Sequence, residues 1–307
     1  MSKTVFLFSG QGSQYSGMGR ELTEKHPELM KIYEAAGDIL GFDLAKISFE
    51  GTDAELAQTK VSQPAIMAVS LCALEAMKIN GIEYSGVAGH SLGEYAAMVA
   101  ANMLSVEDGF RVIKERASAM QKAAEASDGA MYAIIGKSAE EIEEVCATID
   151  GYVVPVNYNS TVQTVIAGES SAAEKAAAKF AEMGAKAVKL GVTAAFHSKL
   201  MQPAADEFKE AIKNVTFAAP TCDFYSNITG AKLDNFDNMP ERLAAHIVSP
   251  VRFTSELAAM QADGYVNFVE LGPNKVLTGL VRKTLKDVNF ANVENAKTLE
   301  KALELFK

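Results

Sequence analysis

The stretch Gly86-Val87-Ala88-Gly89-His90-Ser91-Leu92-Gly93-Glu94 decides how this chain is read. A short apolar run, Gly86 to Ala88, leads into Gly-x-Ser-x-Gly, and an Ala-rich segment follows from Glu94 to Met103. That order predicts a strand, a sharp turn and a helix. The turn raises the Ser91 hydroxyl above the sheet edge at a helix N-terminus, where main-chain N–H groups can receive developing negative charge. A β-carbon at Gly89 or Gly93 would crowd so tight a reversal. Ser91 is then either a helix cap or a nucleophile on an elbow, and the strand before with the helix after favours the nucleophile.

Outward from the elbow, the chain alternates strands and helices. Thr4 to Phe8 is a continuous apolar run and reads as a buried first strand, followed by the Gly-rich loop Ser9-Gly10-Gln11-Gly12-Ser13-Gln14. Helical patterns cover 20–25 and 27–40, and Ser62-Gln63-Pro64 reads as the start of another helix, with Ser62 as its cap. A long helix is expected over 106–124, opened by Ser105-x-x-Asp108. Further on, a helix over 199–214, a strand over 222–226, helices over 239–247 and 251–263, a strand over 267–271 and a helix over 276–286 follow. Parallel strands with covering helices are the architecture this implies.

Residues 130–192 read differently. Strands at 130–135, 152–157, 163–167 and 187–190 enclose helices at 138–148 and 170–183, the βαββαβ order of a ferredoxin-like unit. The expected organisation is a large α/β-hydrolase-like domain with a parallel sheet, residues 1–128 and 194–307, carrying an inserted ferredoxin-like domain, residues 129–193.

Composition narrows the function classes. The chain has 307 residues, 49% hydrophobic, and a net charge of −10 from 29 basic and 39 acidic side chains. A balance that acidic argues against nucleic acid as a partner but leaves room for a small anion held by one local Arg. No apolar run approaches 18 residues, so no membrane association is expected. Met1 to Phe6 runs straight into a strand without the layout of a signal peptide. Cys72, Cys146 and Cys222 are odd in number and far apart, which suits reduced, buried thiols of a cytoplasmic protein and neither a disulfide frame nor a metal site.

An activated serine needs a base, and the chain offers four histidines. His26 sits in a charged, surface-like stretch. His90 adjoins the nucleophile on a turn whose neighbours point apart. His246 ends a helix, where its side chain would be a partner of the helix dipole. His197, in Ala194-Ala195-Phe196-His197-Ser198, lies just past the inserted unit, where a cleft would form; base and packed histidine both stay open for it. No acidic residue between Ser91 and His197 follows a convincing strand of the large domain, so the usual hydrolase triad lacks its third member. For the oxyanion, the Leu92 N–H is the expected first donor, and the Gly10–Gln14 loop could supply a second. A phosphate cradle is disfavoured there because the loop lacks the required lysine.

Several segments together resemble the malonyl-CoA:acyl-carrier-protein transacylase family of bacterial fatty acid synthesis. They are Phe8 to Gln14, Ser62-Gln63-Pro64-Ala65, Gly89 to Glu94, Arg116, Asn157-Tyr158-Asn159-Ser160, Phe196 to Met201 and Glu270-Leu271-Gly272-Pro273, in order along nearly the whole chain. The resemblance implies that Ser91 carries the malonyl group as an ester and that His197 is general base and acid. It implies an oxyanion hole from Gln11 and the Leu92 N–H. A main-chain carbonyl, matched to His246, would orient the histidine in place of a carboxylate. Arg116, which its neighbours Lys114 and Glu115 would otherwise mark as a solvated helix face, becomes the clamp for the malonyl carboxylate, and Gln63 a substrate-binding residue. A planar guanidinium suits that task as lysine would not.

Phe196 departs from the commonest stand-alone pattern, which has Ser before the histidine. It is similar to malonyl-type domains of polyketide and animal-type fatty acid synthases, and its ring should crowd a branched α-carbon. The family implies malonyl-CoA and acyl carrier protein as partners, no bound cofactor and no metal; a monomer is the default. Lys186, Lys189 and Lys199 near the domain junction are candidates for carrier docking. A polyketide-pathway malonyltransferase and a serine thioesterase are the rival readings.

Overall fold

The structure, a computed structural model, describes residues 2–306. Ten strands occur among them: β1 Lys3–Phe8, β2 Gly86–Gly89, β3 Gly129–Ile135, β4 Val153–Ser160, β5 Gln163–Glu169, β6 Lys186–Lys189, β7 Asp223–Ser226, β8 Ala231–Lys232, β9 Tyr265–Leu271 and β10 Asn289–Val293. Two sheets result, with orders β10-β9-β1-β2-β7-β8 and β4-β5-β3-β6.

The larger sheet is parallel except for β8. β1 is central because it is apolar on both sides. Phe6 and Phe8 pack with the helix Thr59–Ile79, whereas Val5 and Leu7 pack with Phe253, Leu257, Leu277 and Leu280 on the other face. Alternate side chains of one strand thus serve two layers. All four are fully buried, each worth about 1.5–3 kcal/mol of apolar transfer. β2 lies beside β1, so the turn after it opens at the carboxyl edge of the sheet centre.

The smaller sheet is antiparallel throughout and is covered on one face by the helices Ala139–Ala147 and Ser170–Glu182. Its strand order is that of a ferredoxin-like unit. Along β3, Ala130, Tyr132 and Ile134 face these helices, while Met131 and Ala133 face the larger body. The two bodies are also joined through the backbone: Tyr158 N–H donates to the Val251 carbonyl at 2.9 Å, and Val251 N–H to the Val156 carbonyl at 2.8 Å.

Several elements differ from expectation. The helix expected to open at Ser62 begins at Thr59, with Pro64 inside it. Gln58 carbonyl accepts from both Val61 and Ser62, and Gln121 accepts from Thr59 N–H, so a tertiary contact starts the helix a turn early. The helix over 251–263 begins at Phe253, because Val251 is engaged in the bridge to β4. Leu44–Glu50, β10 and the helix Ala296–Leu303 were not anticipated. β10 reads Asn-Phe-Ala-Asn-Val, an edge strand whose apolar residues are interrupted by Asn292 and of which only Val293 is buried.

Candidate active site

The elbow is built by its glycines. A β-carbon on Gly89 would overlap the Gly93 carbonyl carbon, and one on Gly93 would overlap the Phe8 carbonyl. Between them Ser91 adopts a left-handed backbone, φ 54°. For a residue with a β-carbon that conformation costs about 1–2 kcal/mol, so the surroundings must impose it. The same holds for His197, φ 61°. Gly10 packs against the carbonyl and ring of His90, which brings the loop after β1 onto the elbow.

Ser91 Oγ lies 2.7 Å from His197 Nε2. His197 Nδ1 lies 3.0 Å from the His246 carbonyl and 3.1 Å from the Ser249 carbonyl. Carbonyls only accept, so Nδ1 carries the proton and Nε2 presents its lone pair to the serine hydroxyl. Burial, and after it the positive charge of Arg116, push His197 down to about 3, so the ring is neutral at working pH. That arrangement is one that can activate a serine hydroxyl as a nucleophile, with carbonyls and no carboxylate in the third position.

Arg116 is not a solvated face. The guanidinium is fully buried; Nη1 donates to Gln63 Oε1 at 2.7 Å and Nη2 to Ser91 Oγ at 3.1 Å. It also stands over the Tyr95 ring, 5.2 Å from the centroid. Lys114 and Glu115 misled because the helix Val106–Glu125 turns Arg116 to the opposite side, with Phe110, Ile113 and Met120. Gln63 is itself buried and donates to Gln11 Oε1 at 3.3 Å. The Gln11 side chain is therefore tied to Gln63 and, through Nε2, to Thr59 Oγ1 at 3.4 Å. Gln11 itself lines the cleft with Ser91.

A cleft of 680 Å³ is lined by residues of the smaller sheet and by Gln11, Ser91, Phe196 and His197. Met131, Ala133 and Val165 supply one apolar wall, and the helix Val276–Thr284 supplies the other. Lys189, Lys275 and Lys283 stand along the cleft. Lys199 lies over the Tyr152 ring at 4.1 Å, and neither it nor Lys186 lines the cleft.

Sequence reasoning missed the Ser249 carbonyl, the rim lysines Lys275 and Lys283, and Asn227, which accepts from Ser91 N–H at 2.7 Å. No local motif marks these positions; they are set by the ends of other strands and helices. The side chain of His246 is also unlike expectation. It is fully buried and held neutral by burial, so it is no charged partner of a helix dipole. His90 is engaged by Asn159 at 2.7 Å, and His26 lies 3.7 Å from Glu28. The cysteines are unpaired, Cys72 and Cys146 buried and Cys222 half-buried.

Residues 5–304 match the acyl transferase domain family. The chain is 38% identical, over 100% of its length and 98% of the relative's, to a malonyl CoA-acyl carrier protein transacylase of Bacillus subtilis. It superposes on the crystal structure of the transacylase of that name from Clostridium perfringens with a TM-score of 0.95, at 34% identity, covering 99% and 97% of the two chains. A malonyl-transacylase solved in complex with a type II PKS acyl-carrier protein gives the same score and identity, covering 99% and 100%. On fold, serine geometry and full-length similarity alike, the chain belongs to the malonyl CoA-acyl carrier protein transacylase family.

Proposed function

We propose that this enzyme moves a malonyl group from malonyl-CoA to the phosphopantetheine thiol of an acyl carrier protein, supplying fatty acid synthesis. Ser91 Oγ attacks the thioester carbonyl as its proton passes to His197 Nε2. The tetrahedral oxyanion is held by the Gln11 and Leu92 N–H groups. The carbon–sulfur bond then breaks, His197 returns the proton to the departing thiol of CoA, and malonyl-Ser91 remains. The carrier thiol attacks that ester by the same route in reverse. The exchange of ester for thioester is redox-neutral and needs no cofactor beyond the substrate.

One observation carries the substrate class: a buried guanidinium 3.1 Å from the nucleophilic oxygen. An acyl group on Ser91 would extend beside a desolvated cation, which favours one ending in a carboxylate. A plain thioesterase has no use for that charge. Phe196, 7% exposed and lining the cleft with Ser91, supports preference for an unbranched α-carbon. Lys189, Lys275 and Lys283 at the cleft, with Lys186 and Lys199 farther out, supply local positive charge for an acidic carrier despite the overall −10. We take residues 129–193 as an inserted domain that closes the cleft from one side. We take the enzyme as a monomer in a cytoplasmic setting, the latter in keeping with its free cysteines. No helix among the described residues is long and apolar enough to cross a membrane.

Transfer from malonyl-, acetyl- and methylmalonyl-CoA to one carrier tests the reading. Arg116→Ala should cut the malonyl-over-acetyl preference by about 100-fold, two charge-assisted hydrogen bonds being worth about 3 kcal/mol. Phe196→Ser should raise methylmalonyl relative to malonyl transfer. An unchanged malonyl preference in Arg116→Ala would overturn the assignment. A polyketide carrier is the second reading, favoured by the likeness to the transacylase solved with such a carrier; transfer to both carrier types separates them.

A further inference from the structure

The turn after β7 places Asn227 one step beyond the strand that pairs with β2, where Gly86 faces Asp223 and Val87 faces Phe224. Continued past the strand ends, that register sets Asn227 beside the elbow. The residue is fully buried. Its Oδ1 accepts from Ser91 N–H at 2.7 Å and lies 3.1 Å from His246 Nε2. Its Nδ2 donates to the Gly89 carbonyl at 2.7 Å and to the Glu256 carboxylate at 3.0 and 3.1 Å. Its main-chain N–H donates to Glu94 Oε1, and its carbonyl accepts from Arg252 N–H at 2.9 Å.

These partners leave no freedom in the assignment of the amide. Ser91 N–H can only donate, and the Gly89 carbonyl can only accept, so Oδ1 faces the first and Nδ2 the second. His246 Nε2 must then donate to Oδ1. Both acceptor positions and both donors of one amide are used, a set that neither Asp, Ser nor Leu can supply.

Two of the four partners flank the nucleophile. The clamp on Ser91 N–H and the Gly89 carbonyl holds the left-handed turn that the serine would not adopt alone. A third partner is the side chain of His246, whose own carbonyl orients the catalytic His197. Nucleophile and base are therefore referred to the same buried amide oxygen, the base through His246.

Resting on Ser91 as the acylated residue, we propose that Asn227 is a positioning residue that sets the Ser91–His197 alignment by bridging the elbow backbone to the His246 side chain. It touches no substrate and acts only through those two groups. Misplacing reacting atoms by about 1 Å costs on the order of 100-fold in rate. Asn227→Ala should accordingly slow acylation of Ser91 by malonyl-CoA about 100-fold, with the KM for malonyl-CoA changed less than about threefold.

Asn227→Asp is the sharper variant. A protonated Asp keeps the acceptor toward Ser91 and supplies one O–H donor in place of Nδ2; an ionised Asp supplies none. The side chain would face Glu94 from the elbow helix, Glu256 from the helix Phe253–Ala262 and His246 from the helix Met239–Val248, with Arg116 and Arg242 acting on Glu94 from farther off. The ratio of variant to parent acylation rate should rise as pH falls from 8 to 5.5. A flat ratio in a folded variant would overturn the proposal, since a merely structural defect would slow the enzyme equally at every pH. Should both variants fail to fold, ring-nitrogen NMR of the parent decides: His246 must be protonated at Nε2 and not at Nδ1, and the opposite tautomer would overturn it. In the parent, a malonyl ester that forms on Ser91 upholds the function whatever these variants do, so the two ideas fail separately.

Discussion

The proton on His197 is placed by two carbonyls, and its basicity is set by its surroundings. A carboxylate in their place would raise the basicity; carbonyls raise it less, and burial with the Arg116 charge lowers it to about 3. The imidazole therefore stays neutral and ready to accept a proton well below the ordinary histidine range. The acid limb that His197 imposes on kcat/KM should lie far below pH 6.5. Removing the neighbouring cation relieves its repulsion of the protonated ring. In Arg116→Ala, with acetyl-CoA as donor so that no carboxylate contact is lost, the limb should move to higher pH by roughly 1. A limb that stays where the parent has it would show that Arg116 exerts no such influence. At this scale legibility was uneven. Ser91 announced itself because its glycines are adjacent in sequence. Arg116 did not, since only the rotation of its helix separates a buried guanidinium from the half-buried Lys114 and the exposed Glu115 beside it.

Among the elements, the helix Val276–Thr284 forms a cleft wall and is capped by a buried carboxylate from β9. Glu270 accepts from Leu277 N–H at 3.0 Å, Thr278 N–H at 2.7 Å and Ser9 Oγ at 3.3 Å, linking that wall to the start of the Gln11 loop. Burial outweighs these hydrogen bonds and raises the carboxyl to about 7. Its folded value thus lies above the unfolded one. Its stabilising effect is complete below about pH 4.5 and is lost as pH rises through about 7, a change of about 3 kcal/mol. Glu270→Gln keeps the volume and removes the titration. Measured by denaturant unfolding, the stability of Glu270→Gln relative to the parent should rise between pH 5 and pH 8; a difference constant across that range would contradict the assignment. The Glu270-Leu271-Gly272-Pro273 segment was visible in sequence, but its capping role was not, because the helix it serves starts several residues later. The helix at Thr59 and strand β10 show the same limit: one is begun by Gln121 from a distant helix, and the other is held by backbone pairing with β9 although only Val293 of its five residues is buried.

The whole molecule is a cleft between two sheets, and its chemistry depends on their joint position. The βαββαβ order and the alternating α/β body could be read from periodicity, since each element carries its own apolar pattern. The contacts that assemble the site could not. Ser91, Arg116, His197, Asn227 and His246 come from separate segments, and only folding brings them together. The central claim is that Ser91 carries the acyl group between two thiols. Intact-protein mass spectrometry after brief exposure to malonyl-CoA tests it most directly. The account predicts one added malonyl group, mapped to Ser91, absent in Ser91→Ala and discharged onto a carrier protein when one is added. Malonate released to water with no ester on Ser91, or an adduct that persists in Ser91→Ala, would contradict it.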